Sequence, residues 1–156
     1  MTEPTPHTIT DRDVYITRSF AAPRDLVWKF WTDPERLTEW FGPSGIHTPL
    51  ANISVDLVEG GHWNLGMTDD TTDEIYPLSA TVMKVIEGEY LELVIVNAKG
   101  GEIEDVFLRV QFHDHGDTTR LTLHQGPFTP ELRDLTRDGW TQSFDKLDIT
   151  LKESRS

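Results

Sequence analysis

Cysteine is absent from this chain of 156 residues. That single lack excludes disulfides, thiolate nucleophiles, zinc–thiolate sites and iron–sulfur clusters together. Basic residues are scarce: Lys and Arg number 14 against 27 Asp and Glu, a formal net charge of −13. Such a surface repels phosphate backbones and anionic headgroups, so neither nucleic acid nor membrane is expected as a partner. Solubility is the plain reading of this charge, with an acidic protein-docking face or a host with an acidic proteome as alternatives. No stretch approaches the ~18 apolar residues of a membrane span. The N-terminal MTEPTPHTITDRD lacks a basic segment followed by an apolar run, and a cytoplasmic protein is expected. A nucleophile elbow, a phosphate loop and a dinucleotide fingerprint are also missing. GGHWNLG has the glycines of the last, but it falls in an expected hairpin and not between strand and helix. Covalent nucleophilic catalysis and nicotinamide chemistry are thus unsupported, and no cofactor is expected.

What is present suffices for one domain, since a chain of this length buries about two-thirds of the surface it exposes when unfolded. Residues 1–11 hold two prolines, four threonines and little apolar material, which predicts a mobile tail ahead of a single domain over 12–156. The C-terminal stretch TPELRDLTRDGWTQSFDKLDITL predicts a long helix. Thr129 is placed to cap it, Pro130 suits the first helical position, and Glu131 and Asp134 complement the positive end of the dipole. Asp148 and Lys152 pair at i,i+4. At about 100° per residue, Trp140, Phe144, Leu147 and Leu151 form one apolar stripe, extended by Leu132 and Leu135. Beside it runs a stripe of small residues, Thr136, Gly139, Ser143 and Thr150. Glycine within a helix costs roughly 1 kcal/mol relative to alanine. Two explanations stand: close approach of the helix to a sheet, or room left over the sheet for a ligand.

Ahead of that helix the chain reads as a strand, DVYITRSF, then two short helices introduced by Pro23 and by Asp33–Pro34 and stopped at Gly42–Pro43. From Ala51 the pattern has period two. ANISVDL and HWNLGM flank the turn Glu59–Gly60–Gly61, and a long strand over Ile75–Ile86 follows the polar connection Thr68–Glu74. YLELVIV, EDVFLRVQF and TTRLTLHQ follow, separated by turns at Glu87–Glu89, Asn97–Gly101 and His113–Asp117. Consecutive hairpin-linked strands make an antiparallel sheet that twists and curls, solvated on one face and covered by the terminal helix on the other.

Four segments, APRDLVWKFWTDPERLTEWFGP, VEGGHWNLGM, TRLTLHQGPF and DGWTQSFDKLDITL, in this order and spacing, resemble the Activator-of-Hsp90-ATPase-like family of the START-like, or SRPBCC, superfamily. The resemblance covers about Asp13 to Leu151. It implies an α+β helix-grip fold: a curved antiparallel sheet of about seven strands wrapped on a long C-terminal helix, around a largely apolar cavity. It also implies a hydrophobic small molecule as ligand, or as substrate of a cofactor-free cyclase or hydrolase. Chaperone contact is the remaining expectation, although the co-chaperone that names the family binds Hsp90 mainly through a separate N-terminal domain, where this chain has only its short tail.

Within that frame Trp40, Phe41, Trp63, Trp140 and Phe144 are expected around the cavity, with Thr136, Gly139 and Ser143 beside them; core packing without a ligand accounts for the aromatics equally well. Arg109, between Leu108 and Val110, is a candidate anchor for a ligand carboxylate. Asp56, Tyr76, Glu104, Arg109 and Gln111 are candidate acid–base groups if they face inward, although exposure on the outer sheet face is the favoured reading of each. No metal site is expected. His113 and His115 flank Asp114 in a presumed hairpin end, His62 and His124 are read as surface residues, and Asp69, Asp70, Asp73 and Glu74 lack the spacing of a calcium loop.

Overall fold

The computed structural model describes residues 9–95 and 105–155. The expected tail therefore falls largely outside the described residues, as do Glu104 and the expected turn over Asn97–Gly101. Among the described residues eight strands form one antiparallel sheet: β1 (Val14–Phe20), β2 (Ile46–His47), β3 (Ile53–Asp56), β4 (His62–Asp69), β5 (Ile75–Ile86), β6 (Tyr90–Ile95), β7 (Val106–His115) and β8 (Thr118–Gly126). With them, among the described residues, are the α-helices α1 (Arg24–Thr32), α2 (Pro34–Leu37) and α3 (Pro130–Arg155). The strand order is β1-β8-β7-β6-β5-β4-β2, with β3 also paired to β4. This is the curled sheet and long C-terminal helix of the helix-grip fold.

Period-two burial sets the faces. Leu121 and Leu123 of β8, Leu108 and Val110 of β7, and Leu91 and Leu93 of β6 are all buried and pair across the strands. Against this inner face lies the stripe Trp140, Phe144, Leu147 and Leu151 of α3, all buried. Thr129 caps α3 through its Oγ1, which accepts from the Leu132 N–H at 3.3 Å. The expected extension of the stripe does not hold: Leu132 is 47% and Leu135 68% exposed.

The terminal helix is not the only cover. α1 also packs on β7 and β8, with Trp28 edge-on to Phe112 at 5.1 Å. Trp31 of α1 lies at the centre of the aromatic core, stacked on Trp140 at 5.6 Å and on Trp63 at 6.2 Å. Two strand assignments also differ from expectation. β7 runs on through His113–Asp114–His115, because Asp114 and His115 pair with Thr119 and Thr118, leaving Gly116 and Asp117 as the turn. β2 adds a two-residue pairing with the end of β4.

Among the described residues no helix is long and apolar enough to cross a membrane. No group of three or more His, Asp or Glu side chains among them is arranged to hold a metal ion.

Candidate functional site

Pro77 lies within β5 opposite Gly66 of β4, and among the described residues the pairing of β5 with β6 begins at Thr81. Between this part of the sheet and α3 a pocket of about 550 Å³ is open. On the helix side its wall is Leu132, Thr136, Gly139, Trp140 and Ser143, which share one face of α3 at helical spacing. On the sheet side it is Met67, Pro77, Leu78, Ile95, Val106 and Gln125. Phe41, Pro43 and Phe128 complete the lining.

Gly139 explains why the space exists. A Cβ built at this position would meet nothing within 4 Å, so the glycine does not serve close contact between helix and sheet. It faces open pocket. The helix is held at this distance by polar ties at its middle: Lys146 Nζ donates to the carbonyls of Pro43 at 3.1 Å and Ile46 at 2.9 Å, and the Ser44 N–H donates to Gln142 Oε1 at 2.9 Å. Burial lowers the pKa of Lys146, partly offset by Asp70. The same ties seat Phe41 and Pro43 at the pocket, and the positive φ of Gly42, 120°, makes the turn between them. On the far side of α3, Arg18 pairs with Asp145 at 2.8 Å.

Two polar side chains of the wall are buried. Gln125 is 5% exposed and follows Leu121 and Leu123 on the inward phase of β8. Its Oε1 accepts from the Trp140 indole N–H at 2.6 Å. Because that indole nitrogen can only donate, the contact fixes the amide orientation, oxygen toward Trp140 and nitrogen away from it. Ser143, 4% exposed, is the other.

The expected cavity residues divide. Phe41, Thr136, Gly139, Trp140 and Ser143 line the pocket, whereas Trp40, Trp63 and Phe144 do not. Those three belong to the packed core behind it, drawn there by their own anchors. The Trp40 indole donates to the Phe30 carbonyl at 2.7 Å, the Trp63 indole to the Trp31 carbonyl at 3.0 Å, and Phe144 packs on Phe20 at 5.6 Å. Thr150, the last of the small stripe, turns its hydroxyl to the Lys146 carbonyl at 2.8 Å.

Arg109 is also absent from the pocket, because its neighbours Leu108 and Val110 take the inward phase and leave it on the outer face. There its Nε lies 3.7 Å from Glu92 Oε2, and its guanidinium sits 5.0 Å from the Phe107 ring centre. Tyr90 donates to Glu92 Oε1 at 2.7 Å, and burial together with that carboxylate holds the phenol well above its ordinary pKa. One row further, His124 Nε2 meets Asp13 Oδ2 at 2.9 Å. His124 therefore departs from its expected surface position: it is opposite the apolar phase, yet only 8% exposed, with the Tyr15 ring edge-on beside it. His62 is partly buried and shares a 2.7 Å hydrogen bond with Ser54. Asp56 and Tyr76 are exposed, and Gln111 lies on the outer face.

Sequence reasoning missed Gln125 and the apolar sheet wall. The signal for Gln125 was present, since TRLTLHQ puts it in phase with two leucines that must face a core.

The profile of the Activator of Hsp90 ATPase homolog 1-like protein family matches residues 21–152. No curated protein sequence gives a significant match. Among solved structures the chain is similar to a protein of Nitrosomonas europaea, with a TM-score of 0.80 at 24% identity over 95% of this chain and 99% of that one. A Chromobacterium violaceum protein gives a TM-score of 0.80 at 17% identity over 91% of this chain and 98% of the other. A Silicibacter pomeroyi protein that carries the family's name gives 0.77 at 22% identity, over 91% and 99%. These structures share the fold described above, and the profile match spans most of its elements. The chain belongs to the Activator of Hsp90 ATPase homolog 1-like family.

Proposed function

We propose that this domain binds a small, mostly apolar molecule in the pocket between the curled sheet and α3. The observation that carries this reading is Gly139: a helical glycine of unfavourable propensity borders a pocket of about 550 Å³, and a Cβ there would meet nothing within 4 Å among the described residues. The volume falls within the roughly 300–1,000 Å³ of ligand pockets, and a wall of aromatic and aliphatic side chains suits a ligand held by burial of its own apolar surface. Among the described residues that line the pocket none is ionisable, which favours holding a molecule over transferring protons to it.

Native mass spectrometry of freshly purified protein, compared with its denatured mass, tests the reading. A reproducible adduct lost on denaturation is expected, and it should disappear in Ser143→Phe, which places a ring in the pocket. An apo mass, combined with no calorimetric binding of the neutral hydrocarbon 2-ethylnaphthalene, would overturn it. Conversion of the bound molecule on incubation would establish a cofactor-free enzyme instead. Family membership supports one further reading, contact with an Hsp90-type chaperone. Absence of binding to such an ATPase at low salt, where attraction by the acidic surface is least screened, would remove it.

A further inference from the structure

The Gln125 side chain has its oxygen committed to the Trp140 indole and is 5% exposed on the pocket wall. Its Nε2 carries two N–H donors that have no partner among the described residues. Ser143 Oγ, on the same wall and equally buried, likewise has none. Both atoms reach the pocket space, where a bound molecule or water accepts from them, so a ligand that displaces that water must itself offer an acceptor. The other named wall residues, Thr136 excepted, offer no polar side chain.

We infer that the pocket selects apolar molecules bearing a neutral carbonyl group, whose oxygen accepts from Gln125 Nε2 and Ser143 Oγ. This rests on the ligand-binding reading above and adds the ligand's chemical class. A carboxylate does not fit, because no cation lines the wall among the described residues and a buried, unpaired anion is strongly disfavoured. The one arginine that sequence suggested as a carboxylate anchor, Arg109, is on the opposite face, beside Glu92. A pure hydrocarbon would leave the donors unsatisfied. Trp140 has a positioning role: by holding the amide oxygen it presents the amide nitrogen to the pocket.

Three probes of one shape separate these chemistries: 2-acetylnaphthalene, 2-ethylnaphthalene and 2-naphthoate, titrated calorimetrically into wild type, Gln125→Met, Gln125→Glu and Ser143→Ala. Gln125→Glu, titrated at a pH high enough to ionise its carboxyl, keeps an acceptor for Trp140 and removes the donors. The ketone-to-hydrocarbon affinity ratio is expected to fall roughly 3- to 10-fold in each Gln125 variant, the effect of one neutral hydrogen bond. In Ser143→Ala it should fall by a smaller factor, and 2-naphthoate should bind wild type least. The carbonyl stretch of 2-acetylnaphthalene bound to wild type should lie below its value in hexane, a readout that needs no variant. A hexane-like stretch, or a ratio unchanged in variants that fold, overturns the inference while leaving a pocket that binds 2-ethylnaphthalene. If neither naphthalene binds wild type, the ligand-binding reading fails and this inference with it.

Discussion

Replacing Gly139 tests whether the pocket is space kept open or space the helix needs. Alanine there gains the roughly 1 kcal/mol of helix propensity that glycine forfeits. The added methyl meets no atom within 4 Å, so no steric cost offsets the gain and little new packing adds to it. Gly139→Ala should therefore be stabilised by about 1 kcal/mol, a rise of roughly 2–4 °C in Tm for a chain of this size. Gly139→Leu should be at least as stable, because leucine is nearly as good a helix former and its further carbons enter an apolar pocket at about 0.8 kcal/mol per buried methylene. The same carbons occupy ligand space, so binding of 2-ethylnaphthalene should fall as stability rises. Urea denaturation followed by tryptophan fluorescence reads the first quantity, with the m-value expected to be unchanged, and calorimetric titration the second. Destabilisation of Gly139→Ala by more than about 0.5 kcal/mol would refute the reasoning, because it would mean that helix and sheet need the bare backbone.

Trp31 and Trp63 form a second contrast. Both are fully buried, but the Trp63 indole donates to the Trp31 carbonyl whereas the Trp31 indole N–H has no acceptor. Trp63→Phe orphans a buried carbonyl and Trp31→Phe removes an orphaned donor, so the former should be less stable by about 2 kcal/mol, as read by chemical denaturation. For Asp13, burial raises the carboxyl pKa, but hydrogen bonds from His124 and Thr10 outweigh it and set the folded value below the ordinary 3.8. The unfolded chain then binds more protons in the interval between the two values, so this stabilisation is complete above about pH 4 and is lost as pH falls through the folded value. Asp13→Ala should be less stable at pH 7 by about 2 kcal/mol and lose stability more gently on acidification, seen in thermal melts from pH 7 to 3. Lys146→Met strips two carbonyls of their donor and should cost about 1–3 kcal/mol while weakening probe binding, since Pro43 belongs to the pocket wall.

Much of this architecture was legible because local chemistry and long-range packing agree. β5 spans Ile75–Ile86 as its alternation predicts, and the Thr129 cap and the Asp148–Lys152 pair of α3 form as spaced, the latter at 3.1 Å. The differences arise where partners decide. His113–Asp114–His115 has the composition of a turn, yet pairing with β8 keeps it extended. Arg109 drew notice for its apolar neighbours, but those neighbours, by taking the inward phase, put it outside. His124 is buried by Asp13 and Tyr15 from a strand more than a hundred residues earlier, a contact no local window contains. Thr136, Gly139 and Ser143 of the small-residue stripe lie on the pocket wall with Phe41 and Trp140, while Trp40, Trp63 and Phe144, named for the same reason, pack in the core where each meets a backbone carbonyl or a ring.

The sheet order has a kinetic consequence. Strands β4 to β8 each pair with the next along the chain, whereas β1 docks on β8, joining Val14 to Gln125. Neighbouring hairpins close short loops, but seating β1 closes a loop of more than a hundred residues, and the entropy of that closure slows folding. On a ribosome the first strand emerges and waits until the last has been made. The strand that carries Gln125 has an open edge until then, so the pocket wall is completed only at the end of folding.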